Sequence, residues 1–177
     1  MNQPIYLIAA ADKKNGIGFQ GEMPWELVDD MKFFRKITTE TKDVSKMNMV
    51  IMGRTTWESI PEKHRPLAGR KNVIMTRDRA FKGQDASVAH SFGDALEYAD
   101  DEIESIFVIG GANIYEQTIN HPKVKGIYLT RILSTYICDT YFPSIPEDLS
   151  KKTTLKKGIE NGTEYEFQLF ERTSTKV

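Results

Sequence analysis

Ile106-Phe107-Val108-Ile109-Gly110-Gly111-Ala112-Asn113-Ile114-Tyr115 reads as a short apolar strand that passes through two glycines into a helix. Four apolar residues without polar alternation predict a strand buried on both faces, as in a parallel sheet covered by helices. The paired glycines permit strained backbone or close approach of a flat ring or a pyrophosphate, although a tight structural turn would use them equally. The helix start over Ala112–Thr118 offers free backbone N–H groups to an anion.

The same grammar recurs outward from this stretch. Ile5–Ala10, Met49–Met52, Asn72–Met75 and Ser87–Ala89 are short apolar or β-branched runs, with helical candidates at Leu27–Thr39, Thr56–Ile60 and Phe92–Ala99. Beyond residue 120, Val124–Ile132, Lys151–Lys157 and Glu164–Glu171 follow one another without a helix, and Asn161-Gly162 sits between the last two as a hairpin turn. Glu164, Glu166, Gln168 and Glu171 partly alternate with Tyr165, Phe167, Leu169 and Phe170, so this strand should have one wet face. The expectation is one α/β domain over residues 1–177. Its sheet should be mixed, mostly parallel and twisted, with about eight strands, an antiparallel C-terminal hairpin and helices on both faces. Thr38–Lys46 and Pro61–Pro66 read as exposed loops.

Composition narrows the class of function. A net charge of −1 gives no global electrostatic case for nucleic acid or an anionic membrane. The single cysteine, Cys138, allows no intrachain disulfide and fits a reducing compartment. The apolar run Ile5–Ala11 is too short for a signal peptide, and no stretch approaches the roughly 20 apolar residues of a membrane span. A soluble cytoplasmic protein is expected. His64, His90 and His121 are scattered, so no metal site and no nucleophilic triad is expected.

In an open α/β sheet, ligands bind beyond the carboxyl ends of the parallel strands. After the first strand comes Gly16-Ile17-Gly18-Phe19-Gln20-Gly21, a literal G-x-G-x-x-G in the wrong context for a Rossmann turn, because Glu22-Met23-Pro24-Trp25 intervenes before the helix. A mobile lid over a cleft is the better reading. After the second comes Gly53-Arg54-Thr55-Thr56, and after the third Thr76-Arg77. Two Arg/Thr pairs at neighbouring strand ends suit a ligand with more than one phosphate, with Thr56 also expected to cap its helix.

Asp30 is the sharpest signal. At 100° per residue it falls on the apolar side of its helix with Leu27, Met31, Phe33, Phe34 and Ile37, while Asp29, Lys32 and Lys36 point away. A carboxylate there costs several kcal/mol to bury unless a cation or hydrogen-bond donor meets it.

Together these segments closely resemble dihydrofolate reductases, in order, from about Ile5 to Phe170. The matching pieces are Ile8-Ala9-Ala10, Gly16-Ile17-Gly18, Met23-Pro24-Trp25, Asp30 with Phe34, Met52 to Ile60, Pro66-Leu67 with Gly69 to Asn72, Val108 to Gly111 with Tyr115, Tyr128-Leu129-Thr130, and Asp139-Thr140 with Phe142-Pro143. The resemblance implies NADPH-dependent reduction of 7,8-dihydrofolate to tetrahydrofolate. It implies that Asp30 holds the amidine-like edge of the pterin with Thr130 beside it, and that Arg70 takes the α-carboxylate of the glutamate tail. Met31, Phe34, Ile60 and Leu67 would wall the pterin and aminobenzoyl groups. Ile8, Ala9, Ile109 and Tyr115 would line the reacting ring, the carbonyls of Ile8 and Ile109 facing it.

For the cofactor, Gly53, Arg54, Thr55 and Thr56 would lie at the phosphates, and Thr76 with Arg77 at the adenosine 2′-phosphate, favouring NADPH over NADH. Ala10, Ile17, Gly18 and Gly110 to Tyr115, including Ala112, Asn113 and Ile114, would hold the nicotinamide and pyrophosphate, with the Gly110–Gly111 peptide cis. Met23 would sit on the lid, and a water admitted near Met23 and Trp25 would bring the proton. A monomer that binds antifolate inhibitors is also implied. Thr55 stands where a His is common in short bacterial forms, Ala68 where a Pro is, and the 38–46 and 61–66 segments are longer. A riboflavin-pathway pyrimidine reductase of the same fold and a non-catalytic nucleotide-binding module are the alternatives; Asp30, Trp25 and Gly69-Arg70 favour folate.

Overall fold

The computed structural model describes residues 3–173; the remaining ends of the expected 1–177 domain lie outside the described residues. One eight-stranded sheet organises them, in the order β5-β4-β3-β6-β1-β7-β10-β9. Its strands are β1 (Ile5–Ala11), β3 (Met47–Gly53), β4 (Arg70–Met75), β5 (Ser87–Ala89), β6 (Ile103–Val108), β7 (Val124–Ile132), β9 (Lys151–Glu160) and β10 (Thr163–Glu171). From β5 to β7 every neighbouring pair is parallel, and β10 and β9 are antiparallel. The mixed sheet read from the sequence is therefore observed.

Alternation along the central strands divides the core. Ile5, Leu7, Met49, Ile51 and Val108 face one side, where they meet α3 (Phe92–Leu96) and α4 (Ala112–Thr118). Ile8, Val50, Met52, Ile74 and Phe107 face the other, against Phe34 and Ile37 of α1 (Val28–Thr39) and Trp57 of α2 (Arg54–Ser59). Parallel strands covered on both faces explain the unbroken apolar runs.

Several boundaries differ from the expectation. The segment read as a mobile lid contains a strand, β2 (Gly16–Gly18), paired antiparallel with β8 (Thr140–Tyr141) and followed by a bridge between Phe19 and Glu22. The partner lies more than 120 residues away, so no local pattern announces it. α2 starts at Arg54 with Gly53 as its cap residue, so Thr56 is inside the helix and is not its N-cap. α3 stops at Leu96 because Glu97, Tyr98 and Ala99 bond to carbonyls three residues back, tightening the chain out of α geometry. β6 begins three residues earlier than Ile106 and ends at Val108. Thr38, placed in an exposed loop by its polarity, is fully buried at the end of α1, its hydroxyl donating to the carbonyl of Phe34 at 2.7 Å. Glu62–His64, inside the second expected loop, forms a 3₁₀ turn. Gln168, expected on the wet face of β10, is buried and donates to Glu166 at 2.9 Å. The hairpin turn is as expected: Asn161 and Gly162 both take positive φ, as a two-residue turn requires.

Candidate active site

The carboxyl ends of β1, β3, β4, β5 and β6 open onto one cavity of about 1330 Å³. That exceeds the 300–1,000 Å³ of a typical small-ligand pocket, so it suits a long ligand. Ala9, Ala10, Ile17, Gly18, Met23, Ile109 and Tyr115 line one part. Gly53, Arg54, Thr55, Thr56, Thr76, Arg77, Gly110, Gly111, Ala112, Asn113 and Ile114 line the rest. Every residue expected near a dinucleotide is thus brought to one cavity.

Local sequence explains the shape. The Gly110–Gly111 peptide is cis, and Gly110 sits at φ +120°, where a side chain is strained. A Cβ on Gly110 would also come within 3.1 Å of the Tyr115 hydroxyl. Gly53 donates its N–H to the Gly110 carbonyl at 2.8 Å, tying the two glycine turns together. The cavity therefore carries apolar and ring surface at one end, and guanidinium groups, hydroxyls and helix starts at the other. This donor set fits a dinucleotide with an additional phosphate. Arg54 is not idle: its Nε donates to Glu58 at 2.7 Å, its Nη1 to Asp78 at 3.0 Å, and its guanidinium lies over Phe81.

Of the residues expected at a pterin, only Ala9, Ile109 and Tyr115 line this cavity. Asp30 is 8% exposed, and the Thr130 hydroxyl donates to its Oδ1 at 2.6 Å. Burial raises the Asp30 pKa above its ordinary value; the Thr130 bond pulls the other way, and the charge of Glu160 adds to the rise. The Tyr115 hydroxyl donates to the Ile8 carbonyl at 2.7 Å, and burial pushes its pKa up strongly. Phe34, Ile60 and Leu67 are half-buried on the α2 side of the sheet. Met31 is 54% exposed, so it lies at the edge of the apolar stripe. Asp29 does not simply point away: it accepts from the Tyr165 hydroxyl at 2.5 Å.

Arg70 stands over the Phe34 ring at 5.9 Å and donates to the Ala68 carbonyl and the Thr38 hydroxyl, each at 3.0 Å. These bonds use its Nε and one Nη1 hydrogen, leaving Nη2 to meet an anion. Trp25 is buried against Tyr136, and its indole N–H has no acceptor among the described residues. A buried donor of this kind calls for a polar partner.

Sequence reading missed His90 and Ser91, which follow β5 and line the cavity. The rule applied to the other strand ends, extended to Ser87–Ala89, would have found them. His90 Nδ1 lies 2.8 Å from the Thr76 carbonyl, which accepts only, so Nδ1 carries the hydrogen. Thr38, Tyr165 and Glu160 were also missed, and no local signal marks them.

A family model described as dihydrofolate reductase matches residues 4–172. The chain is 35% identical over 187 residues to the dihydrofolate reductase of Rattus norvegicus, covering 97% of this chain and 99% of that protein. The dihydrofolate reductase of Heliothis virescens is 35% identical over 179 residues, covering 95% and 97%. The bifunctional dihydrofolate reductase-thymidylate synthase 1 of Arabidopsis thaliana is 40% identical over 175 residues, covering 94% of this chain but 34% of that protein. The chain spans about a third of the length of the bifunctional plant relatives it matches.

Proposed function

Because this chain belongs to the dihydrofolate reductase family, we propose that it reduces 7,8-dihydrofolate to 5,6,7,8-tetrahydrofolate with NADPH. The observation that carries the reading is the Asp30–Thr130 pair, a buried carboxylate held by one hydroxyl beside a cavity with phosphate-binding chemistry at its far end. Burial of an unpaired carboxylate costs several kcal/mol, and a ligand edge with two N–H donors offsets that cost.

Bound NADPH supplies a hydride to the ring carbon of the substrate's reducible C=N bond. The chain positions, polarises and excludes water. Arg54, Thr55 and Thr56 hold the pyrophosphate side, and Thr76 and Arg77 read the 2′-phosphate, where a guanidinium's paired donors suit a dianion. Ala9, Ala10, Ile17, Gly18 and Ile109 keep the nicotinamide end apolar. Asp30 accepts from the pterin edge, and its negative charge pushes electron density into the ring so that the ring nitrogen gains basicity. The proton reaches that nitrogen by a water admitted between Met23 and Trp25, for which the Trp25 indole is a ready donor. Phe34, Ile60 and Leu67 wall the ring and its aminobenzoyl extension, and Arg70 meets the tail carboxylate. Holding both reactants face to face supplies the proximity contribution. Antifolate pterin mimics would compete at Asp30. A cytoplasmic monomer is the proposed state; among the described residues no helix is long and apolar enough to cross a membrane.

The test is loss of reduced-nicotinamide absorbance with dihydrofolate present, with NADPH and NADH as parallel arms. Dihydrofolate-dependent oxidation that prefers NADPH supports the reading. NADPH binding without turnover would return it to the flavin-pathway reductase or a silent nucleotide-binding module.

A further inference from the structure

Helix α1 carries Asp30 in its first turn, yet its cap residue is Leu27, which has no side chain able to accept a hydrogen bond. The free N–H groups of a helix start normally find a Ser, Thr, Asp or Asn at that position. Here they find a residue more than 130 positions away. Glu160, the last residue of β9, accepts from the Val28 N–H at Oε2 (2.7 Å) and from the Asp29 N–H at Oε1 (2.9 Å). Both carboxylate oxygens are used, and both donors immediately precede Asp30 in the chain.

The hairpin is built to deliver this carboxylate. The tight Asn161-Gly162 turn pairs Glu160 with Thr163, fixing the end of β9. Two residues away, Gly158 lies opposite Tyr165, whose ring occupies the space a Cβ would need. Tyr165, buried at the base of β10, then reaches Asp29. Consecutive residues of α1 are thus gripped from the C-terminal hairpin, by Glu160 through the backbone and by Tyr165 through a side chain.

We propose that Glu160 is a positioning residue for Asp30, a helix cap supplied by the C-terminal hairpin that fixes the first turn of α1. The proposal rests on the dihydrofolate reading only for the consequence at the substrate. A neutral Ser or Asn cap offers one side-chain oxygen and would hold only one of the two N–H groups that Glu160 holds. A carboxylate adds a negative charge beside Asp30 and neutralises the positive end of the helix dipole, which would otherwise favour the Asp30 anion. The groups that act on Asp30 are Thr130 on β7, Tyr115 on α4, Tyr165 on β10 and Glu160 on β9, while the neighbouring Asp29 is held by Tyr165. Tyr165, pushed up to about 12 by burial and its bond to Asp29, stays a neutral donor. Glu160 therefore helps keep Asp30 protonated to a higher pH.

The test uses the full chain with Glu160→Gln, which removes the charge at constant size, and Glu160→Asp, which keeps it. Carboxyl-carbon NMR follows Asp30 in the absence of ligands, the resonance assigned by its loss in Asp30→Asn. Kinetics then separate dihydrofolate from NADPH. In E160Q the Asp30 midpoint falls to lower pH, kcat/KM for dihydrofolate drops about fivefold, the loss of one cap's worth of order, and the KM for NADPH is unchanged. E160D returns the midpoint toward that of the unsubstituted protein. An Asp30 midpoint unmoved in E160Q, or equal losses for both ligands, overturns the proposal. A moved midpoint in a protein that does not reduce dihydrofolate supports the hold of Glu160 on Asp30 and overturns the substrate reading instead. Should E160Q not fold, Val28→Pro removes one of the two donors at the first helical position, where proline fits and where Leu27 is already extended. That variant should lower dihydrofolate kcat/KM about threefold with NADPH binding intact, and full activity in it counts against the proposal.

Discussion

Around Arg54 the cleft is wet, and charges are shared among neighbours: the side chain is 42% exposed and its guanidinium is already paired with Glu58 and Asp78. Around Asp30 it is dry, and a single carboxylate leans on one hydroxyl. The wet end uses many contacts, each screened by water and individually replaceable. The dry end uses few, and each carries the full cost of burying a polar group. Affinity for a cofactor can be spread over a surface in this way, whereas polarisation of one ring has to be concentrated at one place.

The largest expected effect breaks the dry end. Asp30→Asn should cut dihydrofolate turnover at neutral pH on the order of a hundredfold, as expected for losing charge-assisted hydrogen bonds, while NADPH affinity measured by fluorescence quenching stays the same. The same variant should raise Tm at pH 7. The folded pKa of Asp30 is raised, so its contribution to stability is present below the unfolded carboxylate range and is lost as pH rises through the folded value. Asparagine removes the penalty at high pH, and its advantage should vanish on acidification. Unchanged Tm with lost turnover would mean that Asp30 is less desolvated than its 8% exposure implies.

Thr130→Val is smaller and sharpens the contrast with Glu160. Losing a bond that favours the Asp30 anion should lower kcat/KM for dihydrofolate about tenfold and move the pH midpoint of turnover upward, opposite to the shift expected for E160Q. A shift in the same direction for both would show that the midpoint does not report Asp30. At the wet end, Arg77→Ala should raise the KM for NADPH about tenfold and leave that for NADH unchanged. Smallest of all is Glu58→Gln, expected within about threefold of the parent in either cofactor constant, because an exposed ion pair contributes little.

The wet end was also the legible end. Gly53-Arg54-Thr55-Thr56, Thr76-Arg77 and Gly110-Gly111 each follow an apolar strand within the next few residues, so the rule for open α/β sheets finds them from local pattern. Asp30 was visible because helical periodicity exposes a charge on an apolar face. Its surroundings were not. Thr38 looked like loop because its polarity outweighed its position, whereas its hydroxyl donates to the Phe34 carbonyl and accepts from Arg70. Strand β2 looked like a lid because three residues, two of them glycine, carry little strand propensity, and only pairing with Thr140–Tyr141 orders them. Leu27 gave no hint of a cap, since the cap is on another strand.

Taken alone, the sequence determined the strands of the main sheet, the helices between them, the parallel core and the residues at the strand ends other than β5. These follow from side-chain periodicity and from backbone permission at glycine, which act over a few residues. Only the tertiary structure decided which groups meet: Tyr115 with the Ile8 carbonyl, Thr130 with Asp30, and Glu160 with the start of α1, pairs separated by 100 or more residues. Hydrogen bonds and buried charges act over a few ångströms, and their partners are set by how the sheet orders its strands.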